Sequence, residues 1–171
     1  MSEMARPNLN VLSAGAIASL LSRTCPALFL DRVASRPERV AFRDKHLGAY
    51  TGYTWKQYFE IVEEACLGLR ELGAEKGDRV AVMGDPCPEW AYADMAIMSF
   101  GGITVGVYPT SSANEIEYIV NDSGSTFFIA ETQEHLDKLL VSMDRCRALK
   151  KAIVVDGATV RVVGTDVEGM P

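Results

Sequence analysis

The chain has 171 residues, of which 48% are hydrophobic, so it is long enough to bury the core of one domain. Its 17 basic and 23 acidic residues give a formal charge of -6 without a long basic run, which excludes nucleic acid as an expected partner. The four cysteines are widely separated, with no CxxC pair, which excludes a structural zinc site of the usual spacing and indicates a reducing cytoplasm.

Residues 1–23 are predicted to form an irregular leader or a docking helix, because Pro7 and several Asn and Ser residues interrupt any helical period. The longest apolar stretch there, Val11 to Leu21, is too short to span a bilayer, which takes about 20 apolar residues. It also lacks the basic lead and the cleavage site of a secretory signal. A short amphipathic contact of this stretch with a membrane surface is left open.

The first ordered helix is predicted over residues 27–35, because Pro37 prevents its continuation. Its apolar stripe is expected to consist of Leu28, Val33 and Ala34. Two short strands are predicted next, over residues 40–43 and 50–53, joined by a loop that carries His46.

A capping box of Thr54 and Gln57 starts the following helix, and Gly73 is placed to end it in the left-handed conformation. The apolar residues of this helix advance by three or four positions and predict one buried face, formed by Trp55, Tyr58, Val62, Ala65, Leu69 and Leu72. Cys66 falls on the same face, and we expect a buried, reduced thiol. Residues 79–83 then have the apolar character of a buried parallel strand.

The next predicted helix, over residues 89–100, has its start fixed by Pro86 and Pro88. Its charged residues are Glu89 and Asp94, so most of its surface is expected to be buried. We expect Asp94 to be a structural residue held by a cap or a salt bridge, with a functional acid as the alternative.

Strands and helices alternate through the rest of the chain. The predicted strands cover residues 103–107, 126–130 and 152–155, with a candidate edge strand over 160–163. A second capping box at Ser112 and Glu115 starts a helix that runs to about Asn121. A later helix carries apolar residues at Leu136, Leu139, Leu140 and Met143. Four strands with three helical crossovers predict an α/β fold, with a parallel sheet and helices on both faces.

Ligands of parallel sheets bind outside the carboxyl ends of the strands, beside helix amino ends. The residues there that most resemble ligand-binding groups are Thr110, Ser111 and Ser112. The alternative is that Ser112 only caps its helix and the other two hydroxyls face water. No GxxxxGK[ST] loop and no serine elbow is present, and His46 and His135 are predicted on loop and helix surfaces, so no catalytic residue or metal ligand is assigned. Three aromatic residues are expected in the core, namely Trp55, Trp90 and Tyr92.

Five sequence blocks, at residues 53–55, 73–81, 88–90, 101–112 and 121–124, resemble the amino-terminal subdomain of adenylate-forming acyl-CoA synthetases. The resemblance as a whole covers about residues 28–156, and the last two blocks look most like the long-chain fatty acyl branch. The resemblance implies a domain division into a leader over 1–23, an α/β subdomain of an AMP-binding domain over 24–156, and an unassigned tail over 157–171.

The resemblance also implies an activity. This family activates a carboxylate with ATP and Mg²⁺ to an acyl adenylate, releases pyrophosphate and transfers the acyl group to coenzyme A. The family takes its reactive groups from a Ser/Thr/Gly-rich loop ending in lysine, an aromatic-Thr-Glu segment, a ribose-binding aspartate and a lysine of a mobile carboxyl-terminal domain. None of these segments occurs in this sequence. We therefore expect an amino-terminal, incomplete part of a cytoplasmic long-chain fatty acid:CoA ligase, inactive and free of bound cofactor on its own.

Three alternatives are left open. A short-chain or aryl acid:CoA ligase would share most of this scaffold. A non-catalytic interaction module would form a homodimer through bare sheet edges or helices. An independent flavodoxin-like protein would bind ATP or FMN by itself.

Overall fold

The computed structural model describes residues 22–156 and 159–164. The stretch from Val11 to Leu21, considered above for membrane contact, lies outside the described residues, as does most of the predicted tail. The helices are α1 Cys25–Ser35, α2 Trp55–Glu71, α3 Pro88–Ser99, α4 Ala113–Ser123 and α5 Gln133–Leu140, followed by a 3₁₀ turn at Met143–Arg145. The strands are β1 Val40–His46, β2 Ala49–Thr54, β3 Arg79–Met83, β4 Ile103–Val107, β5 Phe127–Ala130, β6 Lys151–Asp156 and β7 Thr159–Gly164.

A five-stranded sheet of order β4-β3-β5-β6-β7 forms the centre of the fold. The first four of these strands are parallel, which confirms the prediction from the three helical crossovers. The predicted edge strand is also present as β7, and it runs antiparallel to β6. Only residues 157 and 158 separate these two strands, and a parallel pair would need a crossover of about a dozen residues. The sheet is therefore mixed.

Two hydrophobic layers cover the two faces of this sheet. On one face α1, α2 and α3 pack on alternate strand residues, which are Val80, Val82, Phe127, Ile129 and Ile153. On the other face α4 and α5 pack on the intervening residues, which include Ala81, Met83, Phe128, Ala130 and Val154. Successive strand side chains point to opposite faces, so one run of apolar residues supplies both layers. Helices on both faces are confirmed.

Both predicted capping boxes are present. The Thr54 hydroxyl accepts the Gln57 N–H at 3.2 Å, and the Gln57 side chain accepts the Thr54 N–H at 2.9 Å. Ser112 and Glu115 make the same pair of bonds at the start of α4. Gly73, with a φ of 94°, follows α2 in the left-handed conformation, as predicted. These local signals explain why the predicted helix boundaries agree with the structure to within a few residues.

Helix α1 begins two residues before its predicted start, because the Thr24 hydroxyl caps it by accepting the Ala27 N–H at 3.3 Å. The predicted apolar stripe is partly wrong. Ala34 is exposed, whereas Phe29, absent from that stripe, is only 5% exposed. The Phe29 ring contacts three aromatic rings of α2, those of Trp55, Tyr58 and Phe59.

The prediction that one helix carries both Leu140 and Met143 on its apolar face is wrong, because the helix ends before Met143. Helix α5 ends at Leu140, which is 44% exposed, and Met143 lies in the separate 3₁₀ turn. Between them Ser142 is fully buried, and its hydroxyl donates to the carbonyls of Leu139 and Ala113. Serine hydroxyls compete in this way with the regular helical hydrogen bonds, which explains the interruption.

Strands β1 and β2 form a separate hairpin and are longer than predicted. His46 therefore lies on β1 instead of in a loop. The connecting turn consists of Leu47 and Gly48, both with positive φ, and Leu47 is 93% exposed. A branched apolar side chain is poorly suited to φ of 48°, because its Cβ approaches the following carbonyl.

Replacing Leu47 with Asn is expected to raise the free energy of unfolding by about 0.5–1 kcal/mol, because Asn-Gly is the preferred sequence of such a two-residue turn. Urea denaturation followed by circular dichroism measures this change. Leu67→Asn is the control, because Leu67 is an exposed leucine within helix α2, where Asn is a weaker helix former and should lower stability slightly. A lower stability for Leu47→Asn would contradict the expectation.

Candidate functional site

An open cavity of about 600 Å³ lies at the carboxyl edge of the sheet. It is bordered by residues 84–86 of the β3 loop, defined as residues 84–87, and by Tyr108 and Pro109 of the β4 loop, defined as residues 108–112. Trp90 of α3 and residues 106 and 107 of β4 complete its lining, and Asp85 and Tyr108 contribute polar side chains to it. A mostly apolar concave surface with a few polar groups is typical of ligand sites. We call it the edge cavity.

The three predicted site residues lie on the β4 loop, after the two residues of that loop that line the edge cavity. Ser112 is the N-cap of α4, and its hydroxyl accepts the Glu115 N–H at 3.4 Å, so the predicted capping role is confirmed. Ser111 is 9% exposed, and its N–H closes the loop by donating to the Tyr108 carbonyl at 3.0 Å. Thr110 is exposed. A substrate-binding role for these residues stays a prediction.

Lys138 is a residue near this loop that the sequence patterns did not single out. Its ammonium group donates to the Pro109 carbonyl at 2.9 Å and lies 3.3 Å from the Glu134 carboxylate. The bond to Pro109 connects residues 29 positions apart, so no local pattern could have indicated it. It ties the β4 loop to α5, while the nearby Glu134 carboxylate offsets the positive charge of Lys138.

Cys87 ends the β3 loop and is half-buried. Burial raises the pKa of its thiol to about 11, and the carboxylates of Glu131 and Glu89 act in the same direction. The thiol is therefore protonated at neutral pH and is a poor nucleophile. Cys66, predicted to be buried, is half-buried, and burial also raises its pKa.

A second, largely apolar cavity of about 440 Å³ lies between α2, α3 and the sheet. Its lining includes Ala65, Gly68, Leu72, Ala93 and Val155, with Glu64 and Glu89 also among the lining residues. We call it the helix groove. Tyr92 also contributes to it and is 8% exposed, and burial raises the pKa of its hydroxyl. Tyr92 is thus a core residue as predicted, and Trp55 and Trp90 pack half-buried against the same layer.

His135 was predicted on a helix surface, and this is wrong. The residue is 8% exposed, and its Nδ1 has no hydrogen-bond partner in the part of the chain that the structure describes. The Thr132 hydroxyl caps α5 by accepting the His135 N–H at 3.4 Å, and this register places the imidazole on the inner side of the helix. The His46 side chain lies outside the described residues.

The expectation that a cap or a salt bridge holds Asp94 is also wrong. The side chain is half-buried and forms neither a hydrogen bond nor an ion pair within residues 22–156 and 159–164. Helix α3 carries no basic residue in its last turn, so the helix itself supplies no cationic partner there. Its negative charge adds to the effect of burial in raising the pKa of the Tyr58 hydroxyl.

Two further findings limit the chemistry of the described residues. Among them, no group of three His, Cys, Asp or Glu side chains is arranged to hold a metal ion. In the same residues, none of the helices combines the length and the apolar character needed to cross a membrane.

Comparison with known proteins identifies a matching family and several relatives. Residues 29–168 match the family model of the AMP-binding enzymes. The chain is 30% identical over 132 residues to long-chain-fatty-acid–CoA ligase FadD15 of Mycobacterium tuberculosis, covering 77% of this chain and 22% of that protein. It is 31% identical over 137 residues to long-chain-fatty-acid–CoA ligase ACSBG2 of Xenopus laevis, covering 80% of this chain and 18% of that protein. The chain thus spans about a fifth of the length of these curated relatives.

Solved structures share the fold. A putative long-chain-fatty-acid CoA ligase from Rhodopseudomonas palustris superimposes with a TM-score of 0.70 at 24% identity, over 80% of this chain and 34% of that one. The anthranilate CoA ligase AuaEII in complex with anthranoyl-AMP gives a TM-score of 0.68 at 20% identity, over 77% of this chain and 25% of that one. With a family match over residues 29–168 and this fold, the chain belongs to the AMP-binding enzyme family.

Proposed function

We propose that the chain is the amino-terminal part of a long-chain fatty acid:CoA ligase. The complete enzyme would use ATP to convert a fatty acid to an acyl adenylate, release pyrophosphate and pass the acyl group to coenzyme A. The observation that carries this proposal is the family match over residues 29–168, together with relatives named as long-chain-fatty-acid–CoA ligases.

In this proposal the chain forms one wall of the ligand site. The edge cavity lies at the carboxyl ends of β3 and β4, where parallel sheets bind ligands. Thr110, Ser111 and Ser112 are proposed as substrate contacts along this wall, and Lys138 holds their loop through its bond to the Pro109 carbonyl. The wall shapes the site and excludes water, while the reacting groups come from elsewhere.

This chain lacks the side chains that would be needed to bind ATP and Mg²⁺. The sequence has no Ser/Thr/Gly-rich loop ending in lysine, and no metal-holding group of side chains occurs among the described residues. We therefore assign no reaction step to this chain, and propose that it binds neither ATP, Mg²⁺ nor coenzyme A when isolated. The domain division at residues 23 and 156 and a cytoplasmic location, with peripheral membrane contact as an option, belong to the same proposal.

A non-catalytic interaction module is the second candidate, and the helix groove favours it because apolar residues line an open surface there. Such a module would form a homodimer through the groove. Sizing chromatography with light scattering separates the two candidates, since a monomer at high concentration contradicts the module.

Incubating the 171-residue chain with ATP, Mg²⁺, oleate and coenzyme A is expected to release no pyrophosphate above the rate without protein. A coupled pyrophosphate assay measures this, with an active acyl-CoA ligase as the positive control. Sustained release would contradict the proposed role as one wall of the site. Calorimetric titration with ATP and with FMN tests the flavodoxin-like alternative, which requires measurable binding.

A further inference from the structure

The strand order places a topological switch point between β3 and β5. These strands are neighbours, but the chain leaves β3 towards β4 on one side and leaves β5 towards β6 on the other. Their helices α3 and α5 accordingly lie on opposite faces of the sheet. In open α/β sheets the crevice at such a point is where nucleotides usually bind. It is therefore the first place to look for a ligand.

Glu131 fills this crevice. It directly follows β5, and its N–H donates to the Met83 carbonyl at the end of β3 at 2.9 Å. Its carboxylate crosses the switch point and accepts the Asp85 N–H at 2.6 Å. The space left behind it is a void of about 10 Å³, at the lower limit for a single water molecule.

The contact between Glu131 and the β3 loop is close. A Cβ added at Gly84 would lie 2.8 Å from both the Cβ and the carboxylate of Glu131, a distance that real contacts do not show. Glycine at position 84 thus lets the loop approach the glutamate. In nucleotide-binding loops a glycine and a free N–H bind a phosphate. Here the corresponding N–H, that of Asp85, already donates to the Glu131 carboxylate.

We propose that Glu131 is a positioning residue, which holds the β3 loop closed over the switch point and thereby fixes one wall of the edge cavity. Gly84, Asp85 and Pro86 of this loop line that cavity, so a displaced loop changes its shape. The same carboxylate repels phosphate at the switch point. This inference does not depend on the proposed ligase activity, because it concerns the order of a loop in the isolated chain.

Hydrogen exchange of the Asp85 amide tests the proposal in three variants. Glu131→Ala removes the acceptor, and the amide is expected to exchange roughly tenfold faster, as for loss of a bond to a charged group. Glu131→Gln keeps an acceptor oxygen and is expected to stay within about threefold of the original rate. Glu134→Ala removes an exposed carboxylate from the next turn and is expected to change nothing at Asp85. Unchanged exchange in Glu131→Ala, or equal rates in the Ala and Gln variants, would overturn the proposal.

Alkylation of Cys87 gives a second readout of the same loop. At pH 8 the half-buried thiol should react slowly with iodoacetamide, with the exposed Cys25 as internal reference. Its rate should be severalfold higher in Glu131→Ala than in Glu131→Gln, because both variants remove the charge that raises the pKa of the thiol and only Glu131→Ala loses the acceptor oxygen. Peptide-resolved mass spectrometry measures both rates. A Cys87 rate that follows only global stability, measured by urea unfolding of each variant, counts against a positioning role.

A double substitution tests the close contact itself. Gly84→Ala is expected to open the loop and speed both readouts, because its Cβ displaces Glu131. Glu131→Gly removes the side chain that it meets, so Gly84→Ala should add little in that background. Additive effects of the two changes would show that they do not share one contact and would overturn the proposal.

Discussion

Replacing Phe29 with Ala is expected to lower the free energy of unfolding by about 3–5 kcal/mol. The ring is 5% exposed and lies edge-on to Tyr58 with ring centroids 4.8 Å apart. Its removal leaves a cavity between α1 and α2 and also loses aromatic pair interactions, each worth about 0.5–1.5 kcal/mol. Urea unfolding monitored by fluorescence and circular dichroism measures the loss.

The neighbouring residue supplies a matched control. Leu30 follows Phe29 on the same helix but is 51% exposed, so Leu30→Ala is expected to change stability by less than about 0.5 kcal/mol. A small effect at Phe29 would mean that α1 is not packed on the domain. Equal effects at the two positions would assign a different face of α1 to the core.

Replacing Leu139 with Ala is expected to cost about 2–5 kcal/mol. Its side chain is fully buried in the layer that α4 and α5 form on the sheet. Truncation therefore leaves a cavity beside β5 and β6, and rigid strands limit how far the surroundings can relax. The same urea unfolding measurement determines the cost.

Leu140 is again an adjacent control, because it is 44% exposed at the end of α5. Leu140→Ala is expected to cost less than about 1 kcal/mol. If the two leucines cost the same, α5 would continue past Leu140 with both side chains inward, as the spacing alone suggested. A loss of stability several times larger for Leu139→Ala than for Leu140→Ala supports the interruption of the helix at Ser142.

Much of the fold could be predicted because its signals are local. The two capping boxes and the left-handed Gly73 give helix ends, and apolar runs such as residues 79–83 indicate buried parallel strands. The predictions were wrong where tertiary contacts determine which residue is buried or where a helix ends. Phe29 is buried because α2 presents three aromatic rings to it, and α5 ends early because Ser142 bonds to Ala113.

The candidate site was less predictable. Thr110 to Ser112 could be placed at the carboxyl edge because they follow a predicted parallel strand, and the capping role of Ser112 could be predicted from its spacing to Glu115. Glu131 could also be placed there, because it follows a predicted strand, but its bond to Asp85 could not be predicted. The bond from Lys138 to Pro109 was equally unpredictable, because the partners lie 46 residues apart in the first case and 29 in the second. The buried position of His135 likewise depends on how α5 is seated on the sheet.

The central claim is that this chain forms one wall of the ligand site of a fatty acid:CoA ligase. One measurement tests this claim most directly. The coding sequence is followed past codon 171, and the longer product is assayed for pyrophosphate release with ATP, Mg²⁺, coenzyme A and either oleate, butyrate or benzoate. We expect the frame to enter a Ser/Thr/Gly-rich loop with a lysine, and release to be fastest with oleate. A longer product that releases no pyrophosphate with any of the three acids would contradict the claim, and faster release with butyrate or benzoate would contradict its long-chain part.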